Sequence, residues 1–181
     1  MPVLIEAINV IVRLETIEEK YPGGFNAYFE DSPNATFCHD DYLTRVGFMV
    51  PVDVKAFCDN LKSLGFRFIE EKKSQEIVVV DQFSGPTRPC DWIEIVYARI
   101  MDLCDTCKFC RLKGDTSYTF AFPGTWTWEK SLSRSVCATP NKHFNKVMKF
   151  LRHDHERCLD VYLSLLTGKE LYVGRAAPRL R

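Results

Sequence analysis

The chain has 181 residues, of which 46% are hydrophobic and 27% are charged, a composition that excludes a disordered or collagen-like chain. Its 24 basic residues balance 24 acidic residues, so no net field favours nucleic acid or an anionic membrane. The N-terminus lacks the basic region of a signal peptide. No apolar run reaches the roughly 18 residues that a spanning helix needs. We therefore expect one cytoplasmic domain over residues 1–181.

The first forty residues predict strands around one short helix. The opening segment is rich in β-branched side chains, which favour a strand, and Ile8, Val10 and Val12 would share one face of it. Turn-forming residues, Pro22 and the two glycines after it, predict the end of the helix. The predicted elements are a strand over 3–14, an acidic helix over 16–20, and strands over 25–30 and 35–38.

The clearest unit is a strand–helix–strand–strand–strand module at 42–100. Its helix is predicted over about 51–65, because Pro51 suits a first helical turn, Asp53 adds favourable negative charge there, and Gly65 is a natural stop. Apolar side chains recur inside it at helical spacing and predict one buried face. They are Val54, Phe57, Cys58, Leu61 and Leu64. The strands of the module are predicted over 42–50, 66–69, 77–81 and 92–100.

The C-terminal half predicts a strand over 117–122 and a long helix over about 141–166. The helix is inferred from an apolar stripe that runs from Phe144 to Leu166, with Gly168 as its stop. A strand is expected over 170–173, followed by a frayed tail at 175–181. The predicted fold class is therefore α+β, a mostly antiparallel sheet with the helices at about 51–65 and 141–166 packed on it.

Three cysteines, Cys104, Cys107 and Cys110, stand at the spacing C-x-x-C-x-x-C. Thiolates this close can ligate one soft metal ion such as zinc. If the segment is a regular strand, however, Cys107 and Cys110 point to opposite faces and cannot share an ion. A redox-active dithiol and incidental thiols are the alternatives. Candidates for a fourth metal ligand are Cys90, Cys137 and His39.

A second candidate is the stretch from His153 to Cys158, which lies within the predicted long helix. Positions two apart lie about 200° around a helix axis, so His153 and His155 cannot chelate one ion together. His155 and Cys158, which are three apart, could do so. The alternative is that His155 is a partly buried, hydrogen-bonded residue and that His153 faces solvent.

A third candidate is the loop 81–92 between two predicted strands. It combines carboxylates, a guanidinium, a thiol and aromatic rings, a composition typical of binding loops on a rigid scaffold. The sequences Gly85-Pro86 and Arg88-Pro89 restrict its backbone. Turn chemistry explains the same residues. The candidate contacts for a ligand or partner are Arg88, Asp91 and Trp92, together with Trp126 and Trp128 of a second, aromatic loop.

Glu94 lies between apolar neighbours on its predicted strand, where it could act as a catalytic or metal-binding carboxylate or face solvent. The sequence from Arg45-Val46-Gly47-Phe48 through Leu64-Gly65-Phe66 to Trp92-Ile93-Glu94-Ile95 resembles one module of the vicinal oxygen chelate enzymes. The resemblance implies a metal-binding Glu on the last strand, which Glu94 would match. Arg45 stands where that family usually has His or Gln, and the chain offers no second module.

Three classes of function follow from these features. A binding or protein-interaction domain is preferred, because the sequence contains no phosphate-binding loop, dinucleotide fingerprint or nucleophile elbow. A zinc- or thiol-dependent protein built on Cys104, Cys107 and Cys110 is the second. An enzyme with Glu94 or Asp91 in a pocket is the third. The expected partner is a protein or a small ligand, and zinc is the one cofactor that the residues suggest.

Overall fold

The computed structural model describes residues 1–99, 106–127, 131–132, 148–154, 159–165, 168 and 170–174. It confirms the predicted α+β class, with antiparallel sheets and helices. The helices are α1 (Leu14–Lys20), α2 (Gly24–Glu30) and α3 (Pro51–Ser63). The strands are β1 (Val3–Ile5), β2 (Ile8–Arg13), β3 (Cys38–His39), β4 (Leu43–Phe48), β5 (Ile69–Glu70), β6 (Lys73–Ser74), β7 (Ile77–Asp81), β8 (Gly85–Pro86), β9 (Ile93–Arg99), β10 (Thr106–Leu112), β11 (Met148–Asp154), β12 (Leu159–Ser164) and β13 (Glu170–Gly174).

A five-stranded sheet in the order β3-β4-β2-β7-β8 carries a hydrophobic core on each face. On one face Val10, Val46 and Val79 meet the buried sides of the helices. On the other face Ile11 and Val80 meet a three-stranded sheet in the order β1-β10-β9. Because strand side chains alternate between faces, the continuous apolar runs of β2 and β7 bury both faces of the larger sheet.

The predicted strand over 3–14 is two strands, separated at Ala7. Ala7 has a φ of 52°, a left-handed conformation that costs a residue with a Cβ about 1–2 kcal/mol. Two hydrogen bonds to Gln82 hold it, from Ala7 N to Gln82 Oε1 and from Gln82 N to Ala7 O, each 2.8 Å long. The break lets β1 join the three-stranded sheet while β2 crosses the centre of the larger one. Ile8, Val10 and Val12 share a face, as predicted.

The helix predicted over about 51–65 is confirmed as α3, Pro51–Ser63. It buries Val54, Cys58 and Leu61, which lie on one face because their spacing is helical. Gly65 follows with a φ of 88°, the left-handed conformation in which many helices terminate. Burial raises the pKa of the Cys58 thiol to about 12, so this cysteine behaves as a small hydrophobic side chain.

The strand predicted over 25–30 is wrong, because residues 24–30 form α2. Phe25, Tyr28 and Phe29 follow a spacing of three and four residues, which places them on one helical side. Tyr28 is buried and meets Tyr21 edge to face at a centroid distance of 5.1 Å. Aromatic residues favour strands by propensity, but packing of this face against α1 decides the conformation. The strand predicted over 35–38 is reduced to Cys38–His39.

The strand predicted over 117–122 is also wrong. This segment is extended without regular pairing, and Ala121 forms an isolated bridge with Val3. Phe120 and Phe122 instead cover Phe109 of β10, at centroid distances of 4.3 and 5.6 Å. The aromatic residues that suggested a strand therefore close the outer face of the three-stranded sheet.

The helix predicted over about 141–166 is contradicted by β11 and β12, which pair with each other, and β12 pairs with β13 on its other side. Phe150 lies opposite Tyr162, and the two rings meet edge to face at 5.5 Å. Arg152 binds Glu170 through two hydrogen bonds of 3.0 and 3.1 Å. These cross-strand contacts outweigh a helical stripe read from local spacing. Residues 141–147, 155–158 and 175–181 lie outside the described residues, whereas the strand predicted over 170–173 is confirmed as Glu170–Gly174.

Candidate functional site

An open cleft of about 220 Å³ lies where the β7–β8 hairpin approaches the three-stranded sheet. Its floor is formed by β1, β10 and β9, and its wall by the turn of the hairpin. The residues that line it include Asp81, Phe83, Ser84, Ile95, Tyr97 and Lys108. We call this feature the cleft.

The wall of the cleft is a turn fixed by its own polar groups. Asp81 Oδ1 accepts hydrogen bonds from Phe83 N at 3.0 Å, Ser84 N at 2.7 Å and Ser84 Oγ at 2.9 Å. A carboxylate that binds backbone donors two and three residues ahead is the usual Asx-turn device. Gly85 follows with a φ of 78°, which a glycine adopts without steric cost. The turn therefore presents Phe83 in a fixed position.

Two aromatic rings and one ammonium group define the chemistry of the cleft. Phe83 is 47% exposed and Tyr97 is 64% exposed. Lys108 lies opposite Tyr97 in the ladder, and its Nζ is 5.8 Å from the centre of the Tyr97 ring. The same Nζ donates a 3.2 Å hydrogen bond to Phe83 O. The ammonium thus lies near the Tyr97 ring and the Phe83 carbonyl group, with no described carboxylate within ion-pair distance.

The predicted contact residues of the loop 81–92 lie outside this cleft. Arg88 is exposed. Asp91 is an exposed carboxylate whose pKa is lowered by a 2.6 Å hydrogen bond from Lys73. Trp92 is half-buried, with Arg13 Cζ 5.7 Å from its ring centre. Its indole nitrogen is buried and has no hydrogen-bond partner among the described residues. The structure therefore places residues 81–86 of the loop beside β9 and β10, whereas Arg88, Asp91 and Trp92 do not line the cleft.

Trp126 faces the interior rather than solvent. Its ring lies 4.9 Å from that of Phe122, and its Nε1 donates a 3.1 Å hydrogen bond to Glu6 Oε1. This contact ties the aromatic loop to the segment that links β1 and β2. Trp128 lies outside the described residues.

Glu94 lies on the surface, opposite Arg111 in the ladder between β9 and β10. Its Oε2 accepts a hydrogen bond from Arg111 Nε at 3.0 Å and lies 2.9 Å from Arg111 Nη2 in an ion pair. Arg45 lies in the five-stranded sheet and Glu94 in the three-stranded sheet. The two ends of the module that resembles a vicinal oxygen chelate enzyme therefore do not share a sheet, and Glu94 belongs to no metal-binding group of three or more side chains within the described part of the chain.

The cysteine motif is divided by the geometry of β10. This strand pairs with β9 residue by residue from Thr106 to Leu112 without a bulge, so Cys107 and Cys110 point to opposite faces and cannot bind the same ion. Cys110 lies in the core between the sheets, where burial raises the pKa of its thiol well above the ordinary value. Burial also raises the pKa of Cys90. Cys104 lies outside the described residues.

No group of three or more His, Cys, Asp or Glu side chains among the described residues is arranged to hold a metal ion. His153 lies on β11, a strand, and not on the helix predicted there. His155, Cys158 and Cys137 fall outside the described ranges. His39 accompanies Phe25 at a ring distance of 4.8 Å, as part of an aromatic cluster.

A buried polar cluster, absent from our sequence predictions, lies beside the break between β1 and β2. Arg45 is fully buried, and its Nε donates to Asn9 Oδ1 at 2.6 Å and its Nη1 to Thr36 O at 2.7 Å. Arg45 Nη2 lies 3.9 Å from Glu6 Oε2. Glu6 Oε1 also accepts hydrogen bonds from Trp126 and Ser131. We call these residues the buried cluster; they are Glu6, Asn9, Thr36, Arg45, Trp126 and Ser131.

Comparisons with protein-family models, curated proteins and solved structures found no match to this chain. Within the part of the chain that the structure describes, no helix has both the length and the apolar character required to cross a membrane. The assignment of a function therefore depends on the local chemistry of the cleft and of the buried cluster.

Proposed function

We propose that this chain is a binding domain whose recognition site is the cleft. The observation that carries the proposal is the combination of Phe83, Tyr97 and Lys108 around one open depression. Aromatic rings offer a large contact area with little conformational entropy to lose, and they are enriched where proteins bind partners. The ammonium beside them favours a ligand that carries a negative charge.

The size of the cleft indicates what it can hold. A volume of about 220 Å³ lies below the roughly 300–1,000 Å³ typical of sites that enclose a drug-sized molecule. It suits a single side chain of a protein partner, or a small aryl carboxylate. A protein partner anchored by one residue is the occupant that we favour.

A cytoplasmic location remains part of this proposal. Cys38, Cys58, Cys90 and Cys110 carry free thiols, and thiols persist most readily in a reducing compartment. Cys58 and Cys110 are buried in apolar surroundings, where they are chemically inert.

The proposal can be tested with phenylacetate as a minimal aryl carboxylate probe. We expect millimolar phenylacetate to shift the backbone amide NMR signals of Phe83, Ser84, Tyr97 and Lys108. Lys108→Met should weaken this binding about tenfold, because a charge-assisted contact is lost. Tyr118→Ala is the matched control, since Tyr118 is 89% exposed and does not line the cleft. Signals that change equally across the surface, or not at all at these residues, would contradict the proposal.

A further inference from the structure

The strand β9 is the outermost strand of the three-stranded sheet and forms one side of the cleft. It is seven residues long and pairs with β10 without a bulge. Edge strands of this kind expose a row of backbone donors and acceptors that can pair with another chain. Pro, bulges and very short length are common ways to prevent such pairing, and β9 has none of them.

The hydrogen-bond pattern identifies which backbone groups of β9 face outward. Lys113 N donates to Trp92 O at 2.8 Å, which makes residue 92 a hydrogen-bonded position of the ladder. Such positions alternate along an antiparallel pair. Ile95, Tyr97 and Arg99 therefore direct their N–H and C=O groups away from β10. No backbone group of the described residues binds them.

The opposite edge of the same sheet supports this assignment and provides a contrast. The same alternation, carried across β10, predicts that Leu4 of β1 also faces away from β10. Leu4 N indeed donates to Ala121 O at 3.1 Å, and Ala121 N donates to Pro2 O at 2.9 Å. The chain thus covers the β1 edge with its own backbone. At the β9 edge no described backbone group forms hydrogen bonds of this kind.

Ile95, Tyr97 and Arg99 also share the face of β9 that borders the cleft. Ile95 and Tyr97 line the cleft, and Arg99 follows two positions further along the same face. Arg99 and Lys108 have no ion-pair partner among the described carboxylates. Asp81, the one carboxylate among the described residues that line the cleft, is buried and accepts three hydrogen bonds through Oδ1. Among the described residues on this face of β9 and of the cleft, the unpaired charges presented to solvent are therefore positive.

We infer that β9 is a docking edge for an extended acidic peptide, which adds to the three-stranded sheet as a further strand. This inference rests on the proposed function of the cleft and specifies the partner. Backbone hydrogen bonds to Ile95, Tyr97 and Arg99 provide affinity, as in other cases of strand addition. Because residues directly opposite each other share a face, the partner has an acidic residue opposite Arg99 and apolar residues opposite Tyr97 and Ile95.

The first test uses a fluorescein-labelled nonapeptide in which Thr alternates with Glu, Phe and Val. Fluorescence anisotropy is compared for Tyr97→Pro and Tyr97→Thr. Both variants lose the ring, and Tyr97→Pro also loses the outward N–H while leaving the bonds to β10 intact. We expect Tyr97→Pro to bind about tenfold more weakly than Tyr97→Thr. Equal affinities would overturn strand addition. If Tyr97→Pro does not fold, Ile95→Pro against Ile95→Thr makes the same comparison.

The second test addresses charge and the alternative occupants. Arg99→Glu should abolish the preference for the acidic nonapeptide over one with Lys in place of Glu. A preference that persists would overturn the assignment of an acidic partner. Concentration-dependent dimers that Tyr97→Pro disrupts would overturn it in favour of a second copy of this chain. Binding of phenylacetate without binding of the peptide would reject strand addition and leave the function of the cleft intact, whereas failure of both probes would reject both.

Discussion

The buried cluster and the cleft are built from similar groups but differ in how those groups are satisfied. In the buried cluster, Arg45 is fully buried and donates to Asn9 and Thr36 beside the Glu6 carboxylate. In the cleft, Lys108 contacts a ring and a carbonyl group but no described carboxylate. A cation whose partners are internal specifies the fold, whereas a cation whose charge is presented to solvent remains available to a ligand. The comparison predicts opposite responses to mutation in the two regions.

The largest effect is expected for Arg45→Ala. It leaves Glu6 without its cation and removes the Arg45 hydrogen bonds to Asn9 Oδ1 and Thr36 O, and breaking a buried ion pair from one side typically costs about 3–5 kcal/mol. Denaturant unfolding should show a loss of this size in the free energy of unfolding. Arg111→Ala is the matched control: its pair with the exposed Glu94 should contribute less than about 1 kcal/mol. Similar losses of stability for both variants would mean that the buried Arg45 contributes no more to stability than the surface residue Arg111.

A smaller loss is expected for Gly47→Ala, which tests how tightly the buried cluster is packed. A Cβ at this position would lie 2.6 Å from Arg45 Nη2 and 3.1 Å from Leu132 Cδ1. The guanidinium cannot move aside without losing its hydrogen bonds, so we expect a cost of about 1–3 kcal/mol, as for other overpacked cores. Gly124→Ala is a suitable comparison, since a Cβ there meets no atom within 4 Å. If Gly47→Ala does not change the thermal unfolding of the protein, the buried cluster can relax to accept the extra methyl group.

The smallest effect on stability is expected in the cleft. Phe83→Ala removes an exposed ring and Lys108→Met a partly exposed ammonium group, and surface substitutions of this kind usually change the free energy of unfolding by less than about 0.5 kcal/mol. The same variants should weaken the binding of phenylacetate. Losses of stability as large as that of Gly47→Ala would indicate that these residues support the fold instead of a ligand.

The sequence predicted those elements whose signals are local. Pro51, Asp53 and Gly65 bracket α3 together with an apolar face, and all of these cues lie within fifteen residues of each other. The helix predicted over about 141–166 was wrong because the same apolar residues are compatible with a helix or with strands. Which of the two forms depends on the pairing of β12 with β11 and β13. Likewise, the spacing of Phe25, Tyr28 and Phe29 contained the signal for α2, but aromatic propensity for strands obscured it.

The candidate site was located only in part. The loop 81–92 was singled out, and its first residues form the wall of the cleft, whereas Arg88, Asp91 and Trp92 do not line it. Tyr97 and Lys108 could not be recognised because their proximity follows from the register between β9 and β10, which local spacing does not determine. The buried cluster was missed for the same reason, since Glu6 and Ser131 are 125 positions apart.

The pairing of β1 with β10 has a consequence for how the chain folds. Val3 lies opposite Cys110, so the three-stranded sheet joins residues separated by more than half of the chain. The pairs of β2 with β4 and β7, in contrast, require nothing beyond Asp81. Contacts between distant residues form slowly, because the intervening loop must close before they contribute. We therefore expect the five-stranded sheet to form first during synthesis, and the docking edge on β9 to acquire its support last.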